Sequence, residues 1–178
     1  VGKDRVKVRP RPRVVVISTG SELVEPGLPV ALGQITDSNS FTLTASAREA
    51  GAVAFRVAPV PDDETTLLGL IEDQLVRADV VVTSGGVSAG AYDVVKAVLS
   101  ELGTVTFDRV AMQPGMPQGF GTIGDDATPI FTLPGNPVSA FVSFEVFVRP
   151  VLRAALGHPY PERPRVTARL AAALTSTP

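Results

Sequence analysis

The chain has 178 residues and a formal net charge of -2, without the lysine and arginine excess of a protein that neutralises a nucleic-acid backbone. Hydrophobic residues make up 44% and charged residues 19%, which argues against disorder, and no apolar run reaches the roughly 18 residues of a membrane span. Cysteine is absent, which excludes disulfides and thiolate metal sites.

This length suits one full core with some flanking chain. The missing cysteines fit a reducing compartment, so the expected location is the cytoplasm, with neither nucleic acid nor membrane as a partner. The chain opens on Val1 with no targeting stretch before the first apolar run, and reads as a piece of a longer protein.

Residues 1–12 are basic and contain proline, with valines alternating at 6 and 8, and are expected to form an incoming linker or edge strand. The domain proper is expected over 13–157. An apolar run at 14–17 predicts the first strand, and it leads into Ser18-Thr19-Gly20-Ser21-Glu22-Leu23. Asp37-Ser38-Asn39 supplies cap residues for a helix ending before Gly51, and one of the two site-facing candidates, Asp37 or Asn39, is accounted for by that cap. Residues 53–60 predict a second strand. Asp62, Asp63 and Glu64 then open an acidic first turn, followed by leucines and isoleucine at helical spacing to about Arg77.

A strand from Asp79 ends in Ser84-Gly85-Gly86-Val87-Ser88-Ala89-Gly90. A helix over 92–102 stops at Gly103, a strand covers 105–111, and Pro114-Gly115-Met116-Pro117 is a turn. Gly119, Gly121 and Gly124 spell G-x-G-x-x-G, but Asp125-Asp126-Ala127-Thr128-Pro129 follows where a dinucleotide site needs a helix, so this is a glycine-bearing hairpin. The run at 130–133 ends in Leu133-Pro134-Gly135-Asn136-Pro137-Val138-Ser139-Ala140, where Asn136 reads as an N-cap and Pro137 as the first helical residue. The helix over 137–156 is apolar nearly all round its first half, so it is either a central core helix or a subunit interface, and Pro150 should kink or restart it. Gly157 stops it. Residues 158–165 form a proline-rich linker, and 166–178 alternate like the truncated start of a further β domain.

Alternating strands and helices predict a mostly parallel sheet with helices on both faces, an α/β fold. The three small-residue loops then share one sheet edge, where open α/β sheets bind ligands and glycines let backbone N–H groups approach an anion. The loop at 84–86 taken alone serves equally as a tight turn or as an anion cradle. Glu22, Asp62 and Asp93 accompany the loops, and their convergence would demand a hard cation, with Mg²⁺ the usual partner beside phosphates. Lys96, one turn after Asp93, either pairs with it or reaches a phosphate. His158, the only histidine, lies in the linker, and no serine has an evident base, which argues against histidine or serine-hydrolase chemistry.

Six ordered motifs carry a resemblance: Ser-Thr-Gly-x-Glu-Leu from Ser18, Gly-Gln-Ile-x-Asp-x-Asn from Gly33, Asp62-Asp63, Ser-Gly-Gly-Val-Ser-x-Gly from Ser84, Pro-Gly-x-Pro from Pro114, and Leu-Pro-Gly-Asn-Pro-Val-Ser-Ala from Leu133. In this order the chain resembles the ligand-binding domain of the molybdopterin molybdenumtransferases, the MoeA and gephyrin E-domain family, over about 13–157. The resemblance implies a three-layer molybdopterin-binding fold similar to MogA. It also implies insertion of molybdate into adenylylated molybdopterin with release of AMP, Mg²⁺ as cofactor, and a homodimer that works beside the molybdopterin adenylyltransferase. Glu22, Asp62 and Asp93 match the family's acidic and metal-binding positions, with Arg109 as a further catalytic candidate. Thr19, Gly20, Ser84, Gly85, Gly86, Ser88, Gly90, Pro134, Gly135, Asn136, Pro137 and Ser139 lie in loops that match its molybdopterin contacts, and Lys96 and Gln113 are further substrate-binding candidates.

The chain departs from the pattern where Arg109, Gln113 and Met116 stand at or near family lysines, which loses up to two positive charges. That departure bears on catalytic competence and on molybdate against tungstate. Two other readings share the motifs: the adenylyltransferase of the same fold, and a non-catalytic molybdopterin-binding or scaffolding module.

Overall fold

A computed structural model of the chain describes residues 2–86 and 91–173, except the side chains of residues 91–93. Its first strand, β1 (Arg13–Ser18), is buried from Val14 onward, as a strand covered on both faces must be. Around it lie β4 (Val53–Arg56), β5 (Val80–Ser84), β6 (Gly103–Arg109), β7 (Pro117–Ile123) and β8 (Thr128–Leu133), in the spatial order β4-β1-β5-β8-β7-β6. The pairs β1/β4, β1/β5 and β5/β8 are parallel. The pairs β6/β7 and β7/β8 are antiparallel.

Alternation of strand and helix therefore stops at β6. The turns at Pro114-Gly115 and Gly124-Asp125 are too short for a crossover helix, so three strands run on as an antiparallel meander. Gly119 and Gly121 lie inside β7, where added Cβ atoms would meet the Phe107 ring at 2.9 Å and Thr104 O at 2.0 Å, so close strand packing accounts for these glycines without a nucleotide.

Period-two alternation along the strands divides the core between two layers. Val14 and Val16 face a cluster with Leu43, Phe131, Phe144, Val148 and Leu152. Val15 and Ile17 face another with Leu67, Ile71, Leu99 and Ile130. The first layer is built from α1 (Asn39–Glu49) and a C-terminal helical run, and the second from α2 (Glu64–Leu75) and α3 (Ala91–Leu102). The result is a mostly parallel sheet between two layers of helices. In α2, Asp63 is the N-cap and accepts from the Thr66 amide at 2.8 Å.

The C-terminal run begins as α4 (Pro137–Ser143), passes through one π-helical turn (Phe144–Val148), and resumes as α5 (Arg149–Ala155). Pro150 has no N–H for the carbonyl one turn back, and the widened turn directly before α5 accommodates that loss. Phe144, Val148 and Leu152 are fully buried, while Phe141 and Val146 stay 43% and 50% exposed. One face of the run is thus core and the other lies open.

Among the described residues the first segment is the linker of its two expected forms, the strand expected from 166 is absent, and the one expected over 53–60 is shorter. Residues 2–12 and 166–173 carry no strand, because an alternating pattern without a paired neighbour has no ladder to join. Arg11 instead ties the first segment to the fold, its guanidinium donating to Gly51 O and Ala52 O at 2.8 and 2.9 Å. The strand expected over 53–60 ends at Arg56, with Val60 forming only a lone parallel bridge to Thr19. Between β1 and α1, two short strands, β2 (Leu23–Val24) and β3 (Ile35–Thr36), pair in parallel.

Candidate functional site

Because β1, β5 and β8 are parallel, their carboxyl ends meet on one edge and bring the three loops together. Thr19 N donates to Ser84 O at 2.9 Å, and Gly85 N to Leu133 O at 3.2 Å. The extension of β4 joins them, since Gly20 N donates to Val60 O at 3.0 Å. At Gly85, where φ is +97°, an added Cβ would lie 2.2 Å from Thr19 O, so the glycine is required for the loops to touch. Gly86 likewise leaves no room for a Cβ, which would meet Val95 Cγ2 at 2.1 Å. The tight-turn reading of this loop therefore holds whether or not an anion binds there.

A cavity of ≈ 490 Å³ opens above this edge. It is lined by Thr19, Gly20, Glu22, Asp62, Ser84, Gly85, Gly86, Gln113, Pro134, Gly135, Asn136 and Ser139 from the expected set. Arg109, Lys96 and Pro137 do not line it. Arg109 is exposed and directs its guanidinium to Met116 Sδ, with Nε at 3.2 Å and Nη2 at 2.9 Å, so its charge stops behind the thioether that reaches the cavity. Lys96 is exposed in α3 and Pro137 begins α4, outside the lining. Ser88, Gly90 and the Asp93 side chain fall outside the described residues.

Asp62 and Ser21 bind reciprocally, Ser21 N to Asp62 Oδ2 at 3.2 Å and Asp62 N to Ser21 Oγ at 3.1 Å. Asp62 Oδ1 is left buried with no hydrogen-bond partner, as is Thr19 Oγ1. Glu22 folds back over Gly20, where a Cβ would fall 2.7 Å from Glu22 Oε2. Glu22 and Asp62 are the only charged residues lining the cavity among the described residues. Among the described residues, no group of three His, Cys, Asp or Glu is gathered closely enough to hold a metal ion.

Asn136 caps α4 as its sequence predicts, its Oδ1 accepting from the amides of Val138 at 3.1 Å and Ser139 at 3.2 Å. Those two N–H groups are therefore engaged within the protein, and an anion at this loop needs other donors.

Leu23, Ile35, Pro114, Gly115, Met116 and Pro117 also line the cavity without having been marked as contacts by the sequence, and of the two site-facing candidates Asp37 and Asn39 it is Asn39 that lines it. The signal for Asn39 was a surplus of cap residues. Buried Asp37 bonds the Ser40 amide through Oδ1 at 3.1 Å and so tethers the start of α1, while Asn39 turns to the site. Its Nδ2 donates to Ser84 Oγ and to Gly135 O, each at 2.7 Å, tying the second loop to the third. The 114–117 turn closes the cavity from the far side of β8, a placement that depends on the meander.

Residues 15–154 match the family described as "Probable molybdopterin binding domain". Molybdopterin molybdenumtransferase 2 of Mycobacterium tuberculosis is 52% identical over 182 residues, covering 99% of this chain and 44% of that protein. Molybdopterin molybdenumtransferase 1 of the same organism is 49% identical over 176 residues, covering 99% of this chain and 41% of that protein. The chain thus spans less than half the length of these curated relatives. Among solved structures, the molybdopterin biosynthesis moea protein of Pyrococcus horikosii superposes with a TM-score of 0.74 at 40% identity, over 83% of this chain and 36% of that one. The molybdopterin biosynthesis enzyme MoaB of Thermus thermophilus, at 19% identity and a TM-score of 0.55 over 83% of this chain and 98% of its own, shares the fold. With the family's motifs around one cavity and its matched span covering the sheet from the third residue of β1 onward, the chain belongs to the molybdopterin-binding domain family of molybdenum cofactor biosynthesis.

Proposed function

We propose that this chain is the substrate-binding domain of a molybdenum insertase, a transferase that inserts molybdate into the dithiolene of adenylylated molybdopterin and releases AMP. The observation that carries the reading is the cavity itself: three strand-end loops surround two carboxylates, with Asp62 Oδ1 and Thr19 Oγ1 unpartnered. Unsatisfied buried polar atoms beside an open cavity suit a site completed by ligand.

An anionic substrate does not sit beside Glu22 and Asp62 without a cation. Mg²⁺ fits, because it binds through one or two carboxylates and completes its shell with phosphate oxygens and water. When bound it would neutralise charge on the adenylate and phosphate oxygens. Glu22 and Asp62 would hold it, with Asp93 as the third candidate. Thr19 Oγ1 is free to donate to a substrate oxygen, and Asn39 holds the walls at a fixed spacing. Gln113, exposed on the lining, donates a neutral hydrogen bond where a lysine would bring charge, and charge-assisted bonds are roughly twice as strong as neutral ones.

Residues 13–157 act in this reading as the folded unit, with 1–12 and 158–165 as connections and 166–178 as the start of a β unit of the parent protein. No helix among the described residues is long and apolar enough to cross a membrane. The reaction is assigned to the cytoplasm, where the substrate's dithiolene stays reduced. The open face bearing Phe141 and Val146 supports a homodimer, and the adenylyltransferase supplies the substrate.

The neutral Gln113 and Met116 favour one alternative, a molybdopterin-binding module without catalysis. Calorimetric titration with adenylylated molybdopterin, with and without Mg²⁺, tests the site. Binding strengthened by Mg²⁺ and lost in both Glu22→Gln and Asp62→Asn supports the proposal. Binding indifferent to both substitutions overturns the placement. Metal insertion by the full-length parent separates insertase from binding module, and ATP-dependent adenylylation of molybdopterin by this chain would assign it to the other enzyme of the fold.

A further inference from the structure

A second cavity, of ≈ 700 Å³, lies between α5 and the 159–165 segment, and its wall carries Arg149, Arg153, Arg163 and Arg165 against the single carboxylate of Glu162. Two neighbouring carboxylates reach these guanidinium groups from behind. Glu145 pairs with Arg163 at 2.7 Å and more loosely with Arg149 at 3.7 Å, and Glu49 pairs with Arg163 at 3.1 Å. Glu162 takes Arg165 at 3.2 Å. Arg149 is thus left sharing Glu145, with one further hydrogen bond from Nη1 to Pro161 O at 3.2 Å.

Arg149 is only 8% exposed, and its burial, together with the charges of Arg163 and Arg153, pushes its guanidinium below the usual range. Arg153 Nε is buried with no hydrogen-bond partner. A buried charge-bearing donor without an acceptor costs more than the ordinary loss of a hydrogen bond. Two guanidinium groups short of acceptors in one cavity present forked donors that match the oxygens of a tetrahedral oxyanion.

We propose that this cavity is an oxyanion site, separate from the one at the strand ends, in which Arg149 and Arg153 take a phosphoryl or sulfate group. A carboxylate from the remaining chain of a parent protein is the other source of such an acceptor, and the test distinguishes the two. Bound anion restores acceptors to the Arg153 and Arg149 guanidinium groups and fastens the 159–165 segment to α5.

Arginine labelling with p-hydroxyphenylglyoxal, read by peptide mass spectrometry, tests the site on this chain with inorganic phosphate against chloride at matched ionic strength. Phosphate at ~10 times its dissociation constant should slow labelling of Arg153 roughly tenfold, with Arg169 unchanged as an internal control. Arg153→Gln should abolish the phosphate-dependent protection of Arg149, while Glu22→Ala should leave it intact. Equal slowing at Arg153 and Arg169 would overturn the proposal, as would phosphate-dependent protection of Arg149 that persists in Arg153→Gln. Arg153 protected in the full-length parent without phosphate, and phosphate without effect on this chain, would assign the cavity to the parent's own carboxylate and overturn the small-anion site. These outcomes are independent of whether adenylylated molybdopterin binds at the other cavity.

Discussion

Asn39 Nδ2 donates to Ser84 Oγ at 2.7 Å across 45 positions of the sequence, and the same nitrogen reaches Gly135 O at 2.7 Å. The first residue of α1 thereby sets the spacing between two loops that no strand pairing ties beyond Gly85. A side chain that a helix start leaves free has become the clasp of the candidate site.

Removing that clasp should loosen the site more than the fold. Asn39→Ala is expected to cost about 1–3 kcal/mol of stability, the range for two hydrogen bonds of which one leaves a part-buried partner. Affinity for adenylylated molybdopterin should fall further than that loss alone would produce. Thermal melts and calorimetric titration of the same variant check both.

Gly85→Ala combines a left-handed φ of +97° with a Cβ placed 2.2 Å from Thr19 O. The backbone must move, and destabilisation of roughly 2–4 kcal/mol is expected, from strain and from separation of two loops. Urea unfolding measures it. Gly135→Ala, whose Cβ would meet Gly85 Cα at an ordinary 3.4 Å, should be mild by comparison.

Gln113→Lys places a positive charge on the wall of the cavity that Glu22 and Asp62 also line. Affinity for molybdate or for adenylylated molybdopterin should rise by up to about tenfold, and the gain should shrink with added salt, as a charge-assisted contact requires. Titrations at low and high chloride check the sign and the salt dependence together. An unchanged affinity would mean that residue 113 does not contact the anion.

The Arg13 guanidinium, hydrogen-bonded at 2.8 Å, holds the Asp79 carboxyl below the usual carboxylate range. A carboxyl with a folded pKa below its unfolded one stabilises the fold above the unfolded value, ~3.9, and the contribution disappears as pH falls through the folded value. Asp79→Asn should therefore lower the melting temperature at neutral pH by a small amount, because the pair is about half exposed. The gap to the natural chain should close in acid. Melting curves between neutral and acid pH measure that convergence.

Much of the site was legible in the sequence because each small-residue loop follows a strand-forming run, and parallel strands bring their carboxyl ends to one edge. Thr19, Gly20, Ser84, Gly85, Pro134 and Gly135 group together on the sequence alone, and all six line the cavity. Arg109 could not be placed, because its orientation depends on the turn that brings Met116 beside it, one residue before the Arg109–Pro117 pair that ends the β6/β7 ladder. The β7/β8 half of the meander is legible as a glycine-bearing hairpin, but the antiparallel pairing of β6 with β7 is not, since a strand pattern states which residues are buried and not which neighbour it pairs with.

Local chemistry in the sequence determined the helix starts at Asp63 and Asn136, the helix stop at Gly157, the strands at β1, β5 and β8, and the family motifs. Each rests on a backbone preference or on the period of apolar residues, which act within a few positions. Tertiary structure alone decided that Asn39 clasps two distant loops, that the α4 amides are already engaged by Asn136, and that Arg149 and Arg153 share a cavity with too few acceptors. Those outcomes depend on packing between segments far apart in the chain, and hydrogen-bond and charge balance there is set by which groups burial brings together.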